Sequence, residues 1–327
     1  MPPILNFHFP TSTAARVDTR AAYARMNTPT TTGTAPAHPA SAAAPQVFDR
    51  RQRITIATPC YDFSLTEYYL NSLRACTTSP TARFRGKDGT VALDSIIAGR
   101  ISLPNDSHVD RARNVLANLW YSADETDWLL WIDADIEFAP EHIARLFVHA
   151  QHGHKFLGGL YAMKCLKPTF VANTLPGKRP DPATGLLEVL HLGTGFMLIH
   201  RDVLTQLQTH PDVRRYKCAP NTPWADKFHF TYFGSGVAGP ADPADGSQQW
   251  LSEDWMICQR WRDLGGQIMA DTEIKLRHLG RMLYPPTVGE IVEATTALLR
   301  QNNPHIDIAA LRAALATYQP TALPKAA

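Results

Sequence analysis

The sequence predicts an α/β fold, a mixed, mostly parallel sheet flanked by helices. Three observations predict it. From residue 54 to about residue 162, short aliphatic or β-branched runs alternate with segments whose apolar residues recur at helical intervals. That is the pattern of strand and helix units that wind a parallel sheet with right-handed crossovers. One of these runs, Trp128-Leu129-Leu130-Trp131-Ile132, is apolar throughout, as a strand covered on both faces must be. It leads directly into Asp133-Ala134-Asp135, which places two carboxylates at the carboxyl end of a buried strand, where such sheets carry their chemistry.

The elements follow in order. Ile54, Ile56 and Thr58 alternate as a strand that breaks at Pro59, and Leu65 to Cys76 has helical spacing. Val91 to Leu103 reads as a second strand; Asp106 or Ser107 can cap a helix with the stripe Val109, Ala112, Leu116 and Leu119. After the Trp128 strand, Pro140 suits a first helical position. Ile143, Leu146, Phe147 and Ala150 then repeat until Gly153. Lys155 to Ala162 reads as a strand, Glu188 to His200 as one long extended run, and Asp202 to Leu207 as a short helix. The loop from Phe233 to Gln249, rich in Gly and Pro, is a candidate lid. Ser252-Glu253-Asp254 opens a helix with Ile257, Cys258, Trp261 and Leu264 inward, and Ile268 to Ile274 forms a final strand before His278.

Composition bounds the rest. With 44% hydrophobic and 19% charged residues, the 327-residue chain has ordinary globular composition, and a formal charge of +2 gives no electrostatic case for nucleic acid or a membrane surface. The five cysteines form no Cys-x-x-Cys pair, which argues against a zinc cluster or disulfide framework and suggests a reducing cytoplasm. No run approaches the roughly 18 apolar residues of a membrane span. The first 50 residues hold 11 alanines, 8 threonines and 7 prolines without periodicity, so residues 1–50 are expected to be disordered. Residues 51–284 form the expected catalytic domain, and residues 285–327 the expected accessory helices.

Chemistry enters through carboxylates. Positions i and i+2 of an extended chain point the same way, so Asp133 and Asp135 can face one hard cation and the oxygens of a bound diphosphate. They equally suit a polar strand end, with Asp135 starting a turn. Glu253 and Asp254 suit a first helical turn behind the N-cap Ser252 on dipole grounds alone; one of them can also serve as a general base. Gly193 and Gly195 permit close backbone approach or mark a bulge, and Trp250 can stack on a sugar or fill a gap.

The order of Thr58-Pro59-Cys60-Tyr61, Ala112-Arg113-Asn114, Asp133-Ala134-Asp135, Gly193-Thr194-Gly195, Glu253-Asp254 and His278 resembles the GT-A glycosyltransferases, most nearly the family-2-like enzymes, over residues 54 to about 284. The resemblance implies a Rossmann-like nucleotide-diphospho-sugar transferase fold. It assigns Thr58, Pro59, Tyr61 and Asp62 to the nucleotide base, and Arg113 to the nucleotide, with Arg111 as the alternative. It assigns Asp133 to ribose or metal, Asp135 and His278 to Mn²⁺ or Mg²⁺, and the Gly193 and Gly195 strand to the donor sugar. Asp254 becomes the base of an inverting transfer to a hydroxyl acceptor, with Glu253 orienting hydroxyls. The long Gly/Pro loop before Glu253 departs from the family pattern and leaves the acceptor open. A sugar-phosphate nucleotidyltransferase is a competing expectation, although residues 58–65 lack the glycines of its phosphate loop. A non-catalytic sugar-nucleotide or glycan-binding module is another.

Overall fold

Side chains along Trp128–Ile132 face two ways. Leu129 and Trp131 join one apolar cluster with Ala112, Leu116, Met197 and Ile257, whereas Trp128, Leu130 and Ile132 join a second with Ile54, Ile56, Leu146 and Phe196. A sheet with an apolar layer on each face is the consequence. Full burial of each large aliphatic side chain contributes roughly 1.5–3 kcal/mol.

The computed structural model describes residues 5–7, 48–61, 64–78, 83–86, 89–165, 169–218, 228–280 and 283–284. In chain order these form β1 (Leu5–Phe7), β2 (Ile54–Cys60), α1 (Glu67–Thr78), β3 (Arg83–Gly86), β4 (Gly89–Ala92), α2 (Leu93–Ile96), β5 (Ile97–Pro104), α3 (Val109–Ala123), β6 (Trp128–Ile132), β7 (Ile136–Glu137), α4 (Pro140–Gln151) and β8 (Phe156–Gly159). There follow β9 (Ala172–Thr174), β10 (Leu186–Leu192), β11 (Phe196–His200), α5 (Arg201–Leu207), β12 (Arg215–Lys217), β13 (Phe228–Phe230), β14 (Gly236–Ala238), β15 (Gln249–Leu251), α6 (Glu253–Asp263), β16 (Met269–Asp271), β17 (Arg277–Leu279) and β18 (Leu283–Tyr284).

The main sheet has nine strands in the order β1-β5-β2-β6-β11-β8-β16-β10-β9. Strands β2, β5, β6, β8, β9 and β16 run one way and β1, β10 and β11 the other. The mixed, mostly parallel α/β sheet therefore stands. Its parallel pairings are β5-β2-β6 and β8-β16; β11 enters antiparallel between β6 and β8.

Four local readings change. The expected strand over Val91 to Leu103 is a strand, a helical turn and a second strand. Leu93 and Ile96 are both buried in the same cluster, and a spacing of three puts them on one face of a helical turn but on opposite faces of a strand. The run from Glu188 to His200 divides into β10 and β11 around Gly193-Thr194-Gly195. On α3, Val109 is exposed while Arg113, Asn114 and Asn118 are buried. Both asparagines clamp backbone: Asn114 holds the N–H and C=O of Phe233 at 2.9 and 2.7 Å, and Asn118 those of Phe230 at 2.8 and 2.9 Å. Leu264, expected inward, is exposed.

Residues 5–7, within the segment expected to be disordered, pair antiparallel with residues 100–102 of β5, and the Phe48 ring meets Phe147 edge-on at 5.1 Å. The expected C-terminal helices over 285–327 lie outside the described residues. No helix among the described residues is long and apolar enough to cross a membrane.

Candidate active site

The Asp133-Ala134-Asp135 segment is a turn, because the Ile136 amide donates to the Asp133 carbonyl at 3.1 Å. The same-face expectation for the two aspartates fails for that reason: it holds for extended backbone only. The turn is pinned on every side. The Asp133 amide donates to Gly195 O at 3.1 Å, the Thr66 hydroxyl and amide donate to Ala134 O at 2.8 and 3.1 Å, and the Leu279 amide donates to Asp135 O at 2.8 Å. The last bond belongs to a small sheet in which β17 pairs antiparallel with β7, placing His278 opposite Ile136. A short pairing therefore brings a residue more than 140 positions downstream beside the turn.

Asp133 stays on the Trp131 face and meets Arg113. The guanidinium donates through one Nη to both Asp133 oxygens, at 3.0 and 3.2 Å, and through Nε to Glu253 at 3.3 Å. It also lies over the Trp131 ring, 5.7 Å from the centroid. Its other Nη is buried without a hydrogen-bond partner among the described residues. Arg111 takes no part, since its fork closes on Asp106 at 2.7 to 3.1 Å.

Asp135 faces other partners. The Lys164 ammonium donates to its Oδ2, and His278 Nε2 lies 3.5 Å from the same oxygen. Burial would raise this carboxyl, but the His278 and Lys164 contacts hold it below the ordinary aspartate range. His278 Nδ1 lies 2.9 Å from Ala162 O; a carbonyl only accepts, so Nδ1 is the donor there and Nε2 is the ring nitrogen turned toward Asp135. A carboxylate and an imidazole anchored through its other nitrogen fit two positions around a divalent cation. The third expected ligand, Asp133, is turned to Arg113, and no cluster of three His, Cys, Asp or Glu side chains suited to a metal forms among the described residues.

Glu253 and Asp254 start α6 after the N-cap Ser252. The Ser252 hydroxyl makes no cap bond to the helix; it donates to Asp254 Oδ1, which also accepts the Trp255 amide at 2.9 Å. Asp254 Oδ2 has no partner among the described residues. Burial raises the Asp254 carboxyl above its ordinary range against the pull of Ser252 and Arg113, and burial together with the Asp254 charge raises Glu253 against Arg113. Asp133, Glu253 and Asp254 thus gather around Arg113, while Asp135 pairs with Lys164.

A cleft of about 420 Å³ opens beside this cluster, lined by Pro59, Tyr61, Arg113 and the Asp133 to Asp135 turn among others. Tyr61 is 68% exposed at its rim. Thr58 does not reach it; its side chain is fully buried and bonds the Tyr69 hydroxyl at 2.5 Å. Asp62 lies outside the described residues. Gly193 and Gly195 face protein: a Cβ on either would lie 2.4 or 2.7 Å from Tyr161 Oη, which accepts the Gly195 amide at 2.9 Å. The glycines' close approach is therefore to Tyr161. Trp261 is buried as expected, whereas Trp250 is 66% exposed.

Sequence reasoning missed Tyr161, Lys164 and Thr66. Two glycines two apart on a strand signal a bulky neighbour, so Tyr161 had an indirect trace. Nothing in the sequence singles out Lys164, whose role comes from a turn stapled by the Met163 amide to Thr169 O at 2.9 Å.

No family model matches the chain, and no curated protein matches it. Solved structures give partial likeness. A crystal structure of A197 from STIV is 15% identical, with a TM-score of 0.44 over 72% of this chain and 95% of that one. GalNAc-T7 with UDP, GalNAc and Mn²⁺ is 10% identical, TM-score 0.37, over 72% of this chain and 45% of that one. A UDP-glucose pyrophosphorylase complexed with UDP-glucose is 9% identical, TM-score 0.38, over 76% of this chain and all of that one. This chain thus spans less than half of the GalNAc-T7 chain.

Proposed function

We propose that the protein is a GT-A-type, metal-dependent inverting glycosyltransferase that moves a sugar from a nucleoside-diphosphate sugar to a hydroxyl acceptor. One observation carries the reading: the Arg113 guanidinium joins Asp133 to Glu253, so two acidic motifs 120 positions apart meet at one cation, which with Asp133 lines the cleft. Separate faces would have left them structural.

Asp254 is the base. Ser252 and Trp255 orient one carboxylate oxygen and leave the other open, and burial makes the group more basic than a solvated aspartate. It takes the acceptor's hydroxyl proton as the acceptor oxygen bonds to the anomeric carbon and the bond from that carbon to the diphosphate oxygen breaks. A single displacement inverts the centre. The unpartnered Nη of Arg113 is suited to an oxygen of the donor or acceptor. Asp135 and His278 would hold Mn²⁺ or Mg²⁺, which when bound neutralises charge on the leaving diphosphate.

A thermal-shift screen of nucleotide sugars with and without Mn²⁺ tests the reading. A Mn²⁺-dependent rise in melting temperature with one base class is expected, and Asp135→Ala should abolish it without unfolding the protein. Full turnover by Asp135→Ala, or in excess chelator, would remove the metal; release of pyrophosphate from a nucleoside triphosphate and a sugar phosphate would replace the transferase by a nucleotidyltransferase.

A further inference from the structure

We propose that Lys164 is a resident counter-cation of Asp135, which leaves the carboxylate for the donor's diphosphate when a divalent cation arrives. The inference rests on the metal-dependent reading above and goes beyond it by assigning a diphosphate-binding residue outside every motif in the sequence.

The argument begins with one oxygen. Asp135 Oδ2 accepts the Lys164 ammonium and lies 3.5 Å from His278 Nε2, so a cation held by Asp135 and His278 must compete with the ammonium for it. The two cations of the cluster are built differently for such a competition. Arg113 is 4% exposed and tied through Nε and one Nη to two carboxylates, whereas the Lys164 side chain is 39% exposed and has Asp135 as its one partner among the described residues. An ammonium on a four-carbon stem is a compact point charge that rotates at little cost; a bidentate guanidinium is held in place. The backbone beneath Lys164 stays fixed while the side chain moves, because Met163 and Ala162 are bonded to Thr169 and His278.

The destination follows from charge. Asp135 lines the cleft, so an ammonium displaced from it starts next to the cleft, within reach of an anion seated there. Without Lys164, a cation would meet less competition at Asp135, but the diphosphate would lose one positive partner. The two affinities therefore move in opposite directions, which loss of a purely structural ion pair would not produce.

The test uses the full chain and the variant Lys164→Met, which keeps the stem and removes the charge. Mn²⁺ binding is followed by electron paramagnetic resonance without nucleotide, then UDP and GDP binding by calorimetry at saturating Mn²⁺. Since a part-exposed ion pair contributes up to about 1 kcal/mol, the variant should bind Mn²⁺ about fivefold more tightly and its preferred nucleotide about fivefold more weakly. Unchanged affinities, or both shifting in the same direction, overturn the exchange while leaving a Mn²⁺-binding wild type intact. Wild-type protein that binds no Mn²⁺ overturns the metal reading and the exchange with it.

Discussion

Two carboxylate regions, one buried and one half-buried, are held in opposite ways. Asp271, at the carboxyl end of β16, is fully buried and satisfied: Arg145 grips both its oxygens at 2.8 and 2.9 Å, His149 Nε2 lies 3.0 Å away, and the Glu273 amide donates at 2.9 Å. Burial would raise its pKa, but these partners bring it down to about 2. Asp254 has one oxygen without a partner among the described residues, and burial holds it and Glu253 above their ordinary range. The first arrangement fixes a charge in place. The second leaves a carboxylate oxygen open and raises its affinity for a proton, which fits the base role proposed for Asp254.

The contrast can be broken by substitution. Asp271→Ala leaves Arg145 and His149 without their anion, and denaturant unfolding should show a loss of about 3–5 kcal/mol. Asp254→Asn should leave the unfolding free energy unchanged or slightly higher, yet lower donor turnover by about 10³-fold, equivalent to about 4 kcal/mol. An Asp254→Asn protein that unfolds as readily as Asp271→Ala would make the helix start structural.

The pH dependence of stability should separate the regions by sign. Asp271 has a depressed folded pKa, so its contribution is present above about pH 4 and lost as the pH falls through about 2; the shift from 3.8 is worth roughly 2 kcal/mol. Asp254 and Glu253 have raised folded pKa values. Their contribution is present at low pH and falls as the pH rises above their ordinary values of 3.8 and 4.5. Unfolding curves across pH 2 to 7 for Asp271→Asn should lose the acid-side slope, and those for Asp254→Asn part of the opposite one. Tyr69→Phe, which leaves the buried Thr58 hydroxyl unpaired, should cost about 1 kcal/mol in denaturant unfolding and no donor affinity.

Much of this was legible in the sequence. Trp128–Ile132 and the Ile143, Leu146, Phe147, Ala150 stripe are strand and helix as read, because their apolar period matches how they are buried. The acidic pairs, Arg113 and His278 were also singled out. Their mutual geometry was not, since it depends on chain reversals: the turn at Asp133, the β7 and β17 pairing, and the antiparallel entry of β11. Thr58 misled for a related reason. A hydroxyl at a strand end serves a ligand or a buried neighbour equally well until the packing of Tyr69 is known.

The central claim is that the acidic pair opening α6 acts on a donor held by the Asp133 to Asp135 turn. Its most direct test measures donor binding and nucleoside-diphosphate release side by side, in wild-type and Asp254→Asn protein, with the nucleotide sugar and Mn²⁺ selected by the thermal screen. The account predicts equal donor affinity in both proteins and release by the wild type alone. Wild-type release rates in Asp254→Asn would contradict it.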